Sequence, residues 1–99
     1  MEAKMPRVSV WMVTYNHDLY IAKAIESVLN QQCSFSFKIY IGEDNSTDKT
    51  GLICQNYADR FPDKIKLVRN KVNIGSINNG INTYDRCSLS GANYIATLE

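Results

Sequence analysis

The chain has no apolar run of about 18 residues, so no segment reads as a membrane-spanning helix. Met1 to Arg7 is short and polar and reads as leading into a strand, not as a signal peptide. Proline is scarce, at Pro6 and Pro62 only, and nothing suggests low complexity or a repeat. Neither GxGxxG nor GxxxxGK[ST] occurs, which excludes the two glycine-rich devices that bring a phosphate against the backbone. The three cysteines, Cys33, Cys54 and Cys87, are odd in number and form no CxxC. That excludes a spaced disulfide or metal framework and leaves reduced structural thiols of a cytosolic protein as the expectation. Charge of one sign is also missing. The net charge is +1, with a mild basic concentration from Lys64 to Lys71, so no nucleic acid partner is expected.

What is present is an ordinary globular composition, 44% hydrophobic and 21% charged, in 99 residues. That length makes one domain or a piece of one. Val8 to Thr14 is almost continuous in strand formers, as a central parallel strand requires. Asp18 is a candidate cap for a helix in which Ile21, Ala24, Ile25, Val28 and Leu29 recur on one face, ending at Asn30-Gln31-Gln32. Phe35 to Ile41 predicts a second strand. Ser46 or Thr47 is expected to cap a second helix, with Asp48 near its positive end, Ile53, Tyr57 and Phe61 spaced along it, and Pro62 closing it. Ile65 to Arg69 predicts a third strand and residues 70–75 a loop. Ile77, Ile81 and Tyr84 predict a third helix, weakened by Asn78, Asn79, Gly80 and Asn82. Asn93 to Leu98 predicts a fourth strand. The order β-α-β-α-β-α-β predicts an α/β, Rossmann-like parallel sheet with helices on both faces, joined by right-handed crossovers.

In such a sheet every strand ends on the same edge, where ligands bind. Those ends are Thr14-Tyr15-Asn16, Glu43-Asp44-Asn45-Ser46, Arg69-Asn70 and Glu99. Each alone suits a turn or a cap. Their convergence, and above all two adjacent carboxylates at the end of the β-branched run Ile39-Tyr40-Ile41, predicts a site. With no glycine-rich phosphate loop, a metal ion held by carboxylates is the natural phosphate device.

Val8-Ser9-Val10, Val13-Thr14-Tyr15-Asn16, Ala24 to Gln31 and Glu43-Asp44-Asn45-Ser46-Thr47-Asp48-Lys49-Thr50 together resemble the start of a family 2 glycosyltransferase of the GT-A fold. Asn70, Asn73-Ile74-Gly75 and Tyr94-Ile95-Ala96-Thr97-Leu98-Glu99 continue the pattern in order, so the resemblance runs from Val8 to Glu99. It implies a nucleotide-binding segment at Thr14, Tyr15 and Asn16, with the Tyr15 ring packing on the base. It places Asp44 at a base N–H, since an ionised carboxylate only accepts hydrogen bonds. Glu43 stands where the family has a first aspartate; a solvated turn acid is its alternative. Glu99 stands where the first metal-binding acid falls, implying Mn²⁺ or Mg²⁺ in the complete enzyme.

The resemblance further implies transfer of a sugar from a nucleotide diphosphate-sugar, UDP-sugar being the commonest donor, to a saccharide or lipid-linked acceptor in polysaccharide biosynthesis. The location would be cytoplasmic or peripheral to the inner face of a membrane. Residues 1–99 are then expected to be the nucleotide-sugar-binding half, cut at the start of the acidic motif and inactive alone, with no assignable catalytic base. Arg69 and Lys71 read as solvated charge, and His17 as a loop-ordering residue. An unpaired last strand is expected to invite dimerisation. A non-catalytic nucleotide-binding module is the alternative. A receiver-like signalling domain fits poorly, because it needs acids after the first strand and a phospho-acceptor aspartate after the third.

Overall fold

The computed structural model describes residues 7–31 and 36–97. Its elements are β1 (Arg7–Thr14), α1 (Ile21–Leu29), β2 (Ser36–Glu43), α2 (Thr50–Arg60), β3 (Ile65–Arg69), α3 (Ser76–Leu89) and β4 (Tyr94–Thr97). All strands pair in parallel, in the order β3-β2-β1-β4. The chain therefore steps outward from β1 to β3 and returns through α3 to lay β4 on the other side of β1. That reversal makes the carboxyl end of β1 the topological switch point, where open α/β sheets bind ligands. The predicted Rossmann-like α/β architecture is what is observed.

One face of the sheet is covered by α1 and α2. Val10, Met12, Ile39, Ile41 and Ile65 from the strands meet Ile21, Ile25, Val28, Cys54 and Tyr57 from the helices in one apolar cluster. Ile25, Ile39 and Ile41 are wholly buried, and each such side chain contributes about 1.5–3 kcal/mol of transfer free energy. The stripe read on α1 is the one that is buried. Burial pushes the Cys54 thiol up to about 12, with the nearby Glu43 charge adding to the effect, so this cysteine stays protonated. Cys54 and Cys87 are free and buried, as expected of structural thiols. Cys33 lies outside the described residues.

The other face is built differently. The helix expected around Ile77, Ile81 and Tyr84 is present, yet all three of those side chains are exposed. Against the sheet α3 instead presents Asn79, Thr83 and Cys87. The cause lies in β2, where a Cβ added at Gly42 would come within 2.6 Å of Asn79 Oδ1 and still closer to Thr83 Oγ1. The helix comes so near the strand that only small and polar side chains fit between them. Asn79 Nδ2 donates to the Gly42 carbonyl at 2.9 Å, Trp11 Nε1 donates to the Gly80 carbonyl at 3.0 Å, and the Ser9 and Ser90 hydroxyls pair at 2.8 Å.

Two helix starts also differ from expectation. Neither Asp18 nor Ser46 or Thr47 caps a helix; Tyr20 and Lys49 precede α1 and α2, and neither makes a side-chain cap. The polar loop side chains reach across to the neighbouring loop instead. Asp48 does lie at the start of α2, where its carboxylate accepts from the Thr50 amide at 2.8 Å. β2 runs two residues beyond the predicted end, to Glu43, and so carries both acids to the sheet edge.

Gly42→Ala is expected to destabilise the fold by about 1–3 kcal/mol, the range for overpacking a closed contact. Adding Thr83→Ala to it should recover part of the loss in urea denaturation. An unaltered midpoint for the single variant would contradict this close approach of α3.

Candidate functional site

Successive side chains of a strand point to opposite faces, so the adjacent acids of β2 diverge. Glu43 turns to the α1–α2 side and is 2% exposed, a buried residue and not a solvated one. Its carboxylate accepts from the Ser46 amide at 2.8 Å and from the Ser46 hydroxyl, with Arg69 Nε 4.0 Å away. Arg69, read as solvated charge, is half exposed and leans over Gly51, where a Cβ would lie 2.6 Å from its Nη2.

Asp44 turns to the α3 side and is also 2% exposed. Its Oδ1 accepts from the Ile74 amide and from Asn70 Nδ2, each at 2.9 Å, and its Oδ2 from the Gly75 amide at 2.9 Å. Its carbonyl accepts from Asn73 Nδ2 at 3.1 Å, and its amide donates to the Thr14 carbonyl at 3.1 Å. Gly75 has φ 91°, the left-handed region that glycine enters without steric cost. Asn70 Nδ2 also reaches Asn79 Oδ1 at 3.1 Å. One carboxylate thus fastens the loop after β3 and the start of α3 to the end of β2.

Burial by itself raises the pKa of Asp44. The hydrogen bonds from Ile74, Asn70 and Gly75 outweigh it and hold the carboxyl below its ordinary 3.8. Asp48 is lowered in the same way, burial being outweighed by hydrogen bonds from Thr50 and the Asp18 amide.

The β1–α1 and β2–α2 loops are tied together by a second network. The Asn16 amide donates to Ser46 Oγ at 2.9 Å, and Asn16 Oδ1 accepts from the Thr47 amide at 2.8 Å. The Asp18 amide donates to Asp48 Oδ2 at 3.2 Å. Asn16 and Asn45 both have positive φ, at 55° and 60°, which asparagine tolerates better than most residues. Thr14 is buried, with its Oγ1 3.0 Å from His17 Nδ1.

Of the residues singled out from sequence, Thr14, Asn16, Glu43 and Asp44 are brought together at one edge, engaged with the protein itself. Tyr15 is different, being 42% exposed. It overlooks a cleft of about 330 Å³ bounded by Val13, Asp44, Asn73, Ser76 and Asn79, within the size range of small-ligand sites of ~300–1,000 Å³. Glu43 is not among the lining residues. Glu99 lies outside the described residues, and among those described no group of three His, Cys, Asp or Glu side chains is placed to hold a metal ion.

Sequence reasoning put Asn70 among the strand ends of the site and Asn73 in the family pattern without a role for either, and it missed Asn79. The four-residue spacing of Gly75, Asn79, Thr83 and Cys87 was the available signal for the face that α3 turns to the sheet.

The model describing glycosyl transferase family 2 matches residues 9–85. The minor teichoic acid biosynthesis protein GgaB of Bacillus subtilis is 41% identical over 58 residues, 58% of this chain and 6% of that protein. The GalNAc(5)-diNAcBac-PP-undecaprenol beta-1,3-glucosyltransferase of Campylobacter jejuni is 36% identical over 67 residues, 68% of this chain and 21% of that protein. Among solved structures, the mannosyltransferase PcManGT from Pyrobaculum calidifontis, in complex with GDP-Man and Mn²⁺, superposes with a TM-score of 0.69 at 25% identity. That match covers 85% of this chain and 25% of the mannosyltransferase. The chain thus spans about a quarter or less of the length of these relatives.

Asp44→Asn is expected to cost about 2–3 kcal/mol at neutral pH, since it places a donor against donors already aimed at the carboxylate. A depressed pKa means that the contribution is complete above the unfolded value and is lost as pH falls through the folded one. Wild-type stability should therefore decline as pH drops below 3.8, and the variant should lose part of that decline. Parallel curves for the two proteins would contradict the clasp.

Proposed function

The chain belongs to glycosyltransferase family 2, and on that premise we propose that residues 1–99 supply the donor-nucleotide half of an enzyme that transfers a sugar from a nucleotide diphosphate-sugar to an acceptor hydroxyl. The observation that carries this reading is the cleft at the switch point, with the exposed Tyr15 ring on one side and the Asp44 carboxylate in its wall. Tyr15 offers the base a rigid apolar face at small entropy cost. Thr14, Asn16 and Glu43 serve the nucleotide indirectly in this reading, by fixing the loop that presents Tyr15.

The state of Asp44 favours uracil. An ionised carboxylate has about four acceptor positions, and Ile74, Asn70 and Gly75 take three of them. The remaining one, on Oδ2, suits the single imide N–H of uracil. The paired N–H groups of guanine would leave one donor without a partner. The mannosyltransferase neighbour is in complex with GDP-Man, so UDP is a proposal for this chain and not a family rule.

That neighbour also contains Mn²⁺, which supports a divalent cation, Mn²⁺ or Mg²⁺, with Glu99 as one carboxylate. The described residues do not make a metal site by themselves. When bound, such an ion would neutralise the diphosphate. The Campylobacter relative's name carries a diphosphate-undecaprenol, which supports a lipid-linked saccharide as acceptor and a place in polysaccharide assembly. Among the described residues no helix is long and apolar enough to cross a membrane; a cytoplasmic or membrane-peripheral location is part of the proposal. Dimerisation through the sheet edge finds little support, because β4 has four residues among those described and short edge strands resist pairing.

Asp44 is the only carboxylate among the described residues that line the cleft, and it is committed to the fold, so no free carboxylate is available there to act as a base. Calorimetric titration of the 99-residue chain should show UDP binding about tenfold more tightly than GDP, the cost of one unpaired donor. Tyr15→Ala should abolish that binding with the melting temperature unchanged. Equal affinity for the two nucleotides would overturn the base assignment, and sugar transfer above a protein-free control would overturn the assignment of the chain as a donor half.

A further inference from the structure

His17 stands in the wall of two adjoining clefts and has no part in the reading above. It lines the Tyr15–Asp44 cleft and also an apolar cleft of about 380 Å³ bounded by Met12, Tyr20, Ile21 and Ala24. The clefts share Val13, Thr14 and His17, so His17 is part of the wall common to both.

The residue is exposed yet held at several points. Its amide donates to Thr50 Oγ1 at 2.8 Å, and its carbonyl accepts from the Tyr20 and Ile21 amides at 2.9 and 2.8 Å. Its ring is tethered separately, by the 3.0 Å contact between Nδ1 and the buried Thr14 hydroxyl. The main-chain contacts already order the turn, so the ring tether is not needed for that. A hydroxyl that donates to Nδ1 leaves the ring proton on Nε2, which becomes an aimed donor.

The charge of the surroundings says what that donor would meet. No Lys or Arg is among the described residues lining either cleft, and the carboxylate present is that of Asp44. A nucleoside diphosphate placed here carries negative charge into a region whose described lining holds no Lys or Arg, and the His17 ring N–H is a donor suited to meet it. We infer that His17 is a ligand-contacting residue whose Nε2 meets a phosphate oxygen of the donor. This rests on the donor-site reading above, and it adds a protein contact to the phosphate beside the metal ion expected there.

The test separates base recognition from phosphate recognition. Uridine and UDP are titrated by amide NMR into the wild-type chain, His17→Ala and His17→Gln, with a chelator present so that the protein alone supplies the contact. His17→Ala should bind uridine within about twofold of wild type while its affinity for UDP falls about tenfold, as expected for one charge-assisted hydrogen bond. His17→Gln, which keeps a donor, should recover part of the UDP affinity. Unchanged UDP affinity in His17→Ala, or an equal loss for uridine and UDP, would overturn the inference and leave the ring a structural part of the loop. A folded wild-type chain that binds neither ligand would overturn the donor-site reading, and this inference with it.

Discussion

The carboxylate of Asp44 is the constraint from which the rest of this edge follows. It is buried, so its charge must be met by donors or the fold would not tolerate it. Two consecutive amides, of Ile74 and Gly75, meet it together with the side chain of Asn70. Presenting those amides bends the chain through a positive φ at Gly75. It also fixes where α3 begins. The start of α3 is thereby set against β2 by polar contacts.

The two faces of the sheet consequently cohere by different means. On the α1–α2 side the contacts are aliphatic and nonspecific in detail, and their strength is the area they bury. On the α3 side they are hydrogen bonds between particular atoms, from Asn79 to the Gly42 carbonyl and from Trp11 to the Gly80 carbonyl. Polar contacts of that kind fix one geometry, because a shift of an ångström leaves buried groups unsatisfied. A binding edge needs this property more than extra stability. The lattice between Asn16, Ser46 and Thr47 extends it to the neighbouring loops, so that Tyr15 projects from a turn that is itself held.

Much of this was legible in the sequence, for identifiable reasons. The element order and the parallel sheet follow from alternating apolar runs. The strand ends at Thr14 and Glu43–Asp44 follow from where those runs stop. The faces of α3 were not legible, because periodicity finds the apolar stripe of Ile77, Ile81 and Tyr84 without saying which surface the helix turns to its neighbours. That choice was made by Gly42 on another element. The caps assigned to Asp18, Ser46 and Thr47 failed similarly: the Ser46 and Thr47 hydroxyls and the Asp18 amide found partners one loop away, through contacts some 30 residues distant in sequence. The resemblance correctly gave the family, whereas the exposure of Tyr15 between neighbours engaged with the protein needed coordinates.

The central claim, that the Tyr15–Asp44 cleft receives a uracil base, is tested most directly by intermolecular NOEs in the isotope-labelled chain saturated with UDP. The account predicts contacts from uracil H5 and H6 to the Tyr15 ring, with the Ile74 and Gly75 amides still protected from exchange. NOEs to any other surface, or loss of that protection as Asp44 swings out to the ligand, would contradict it.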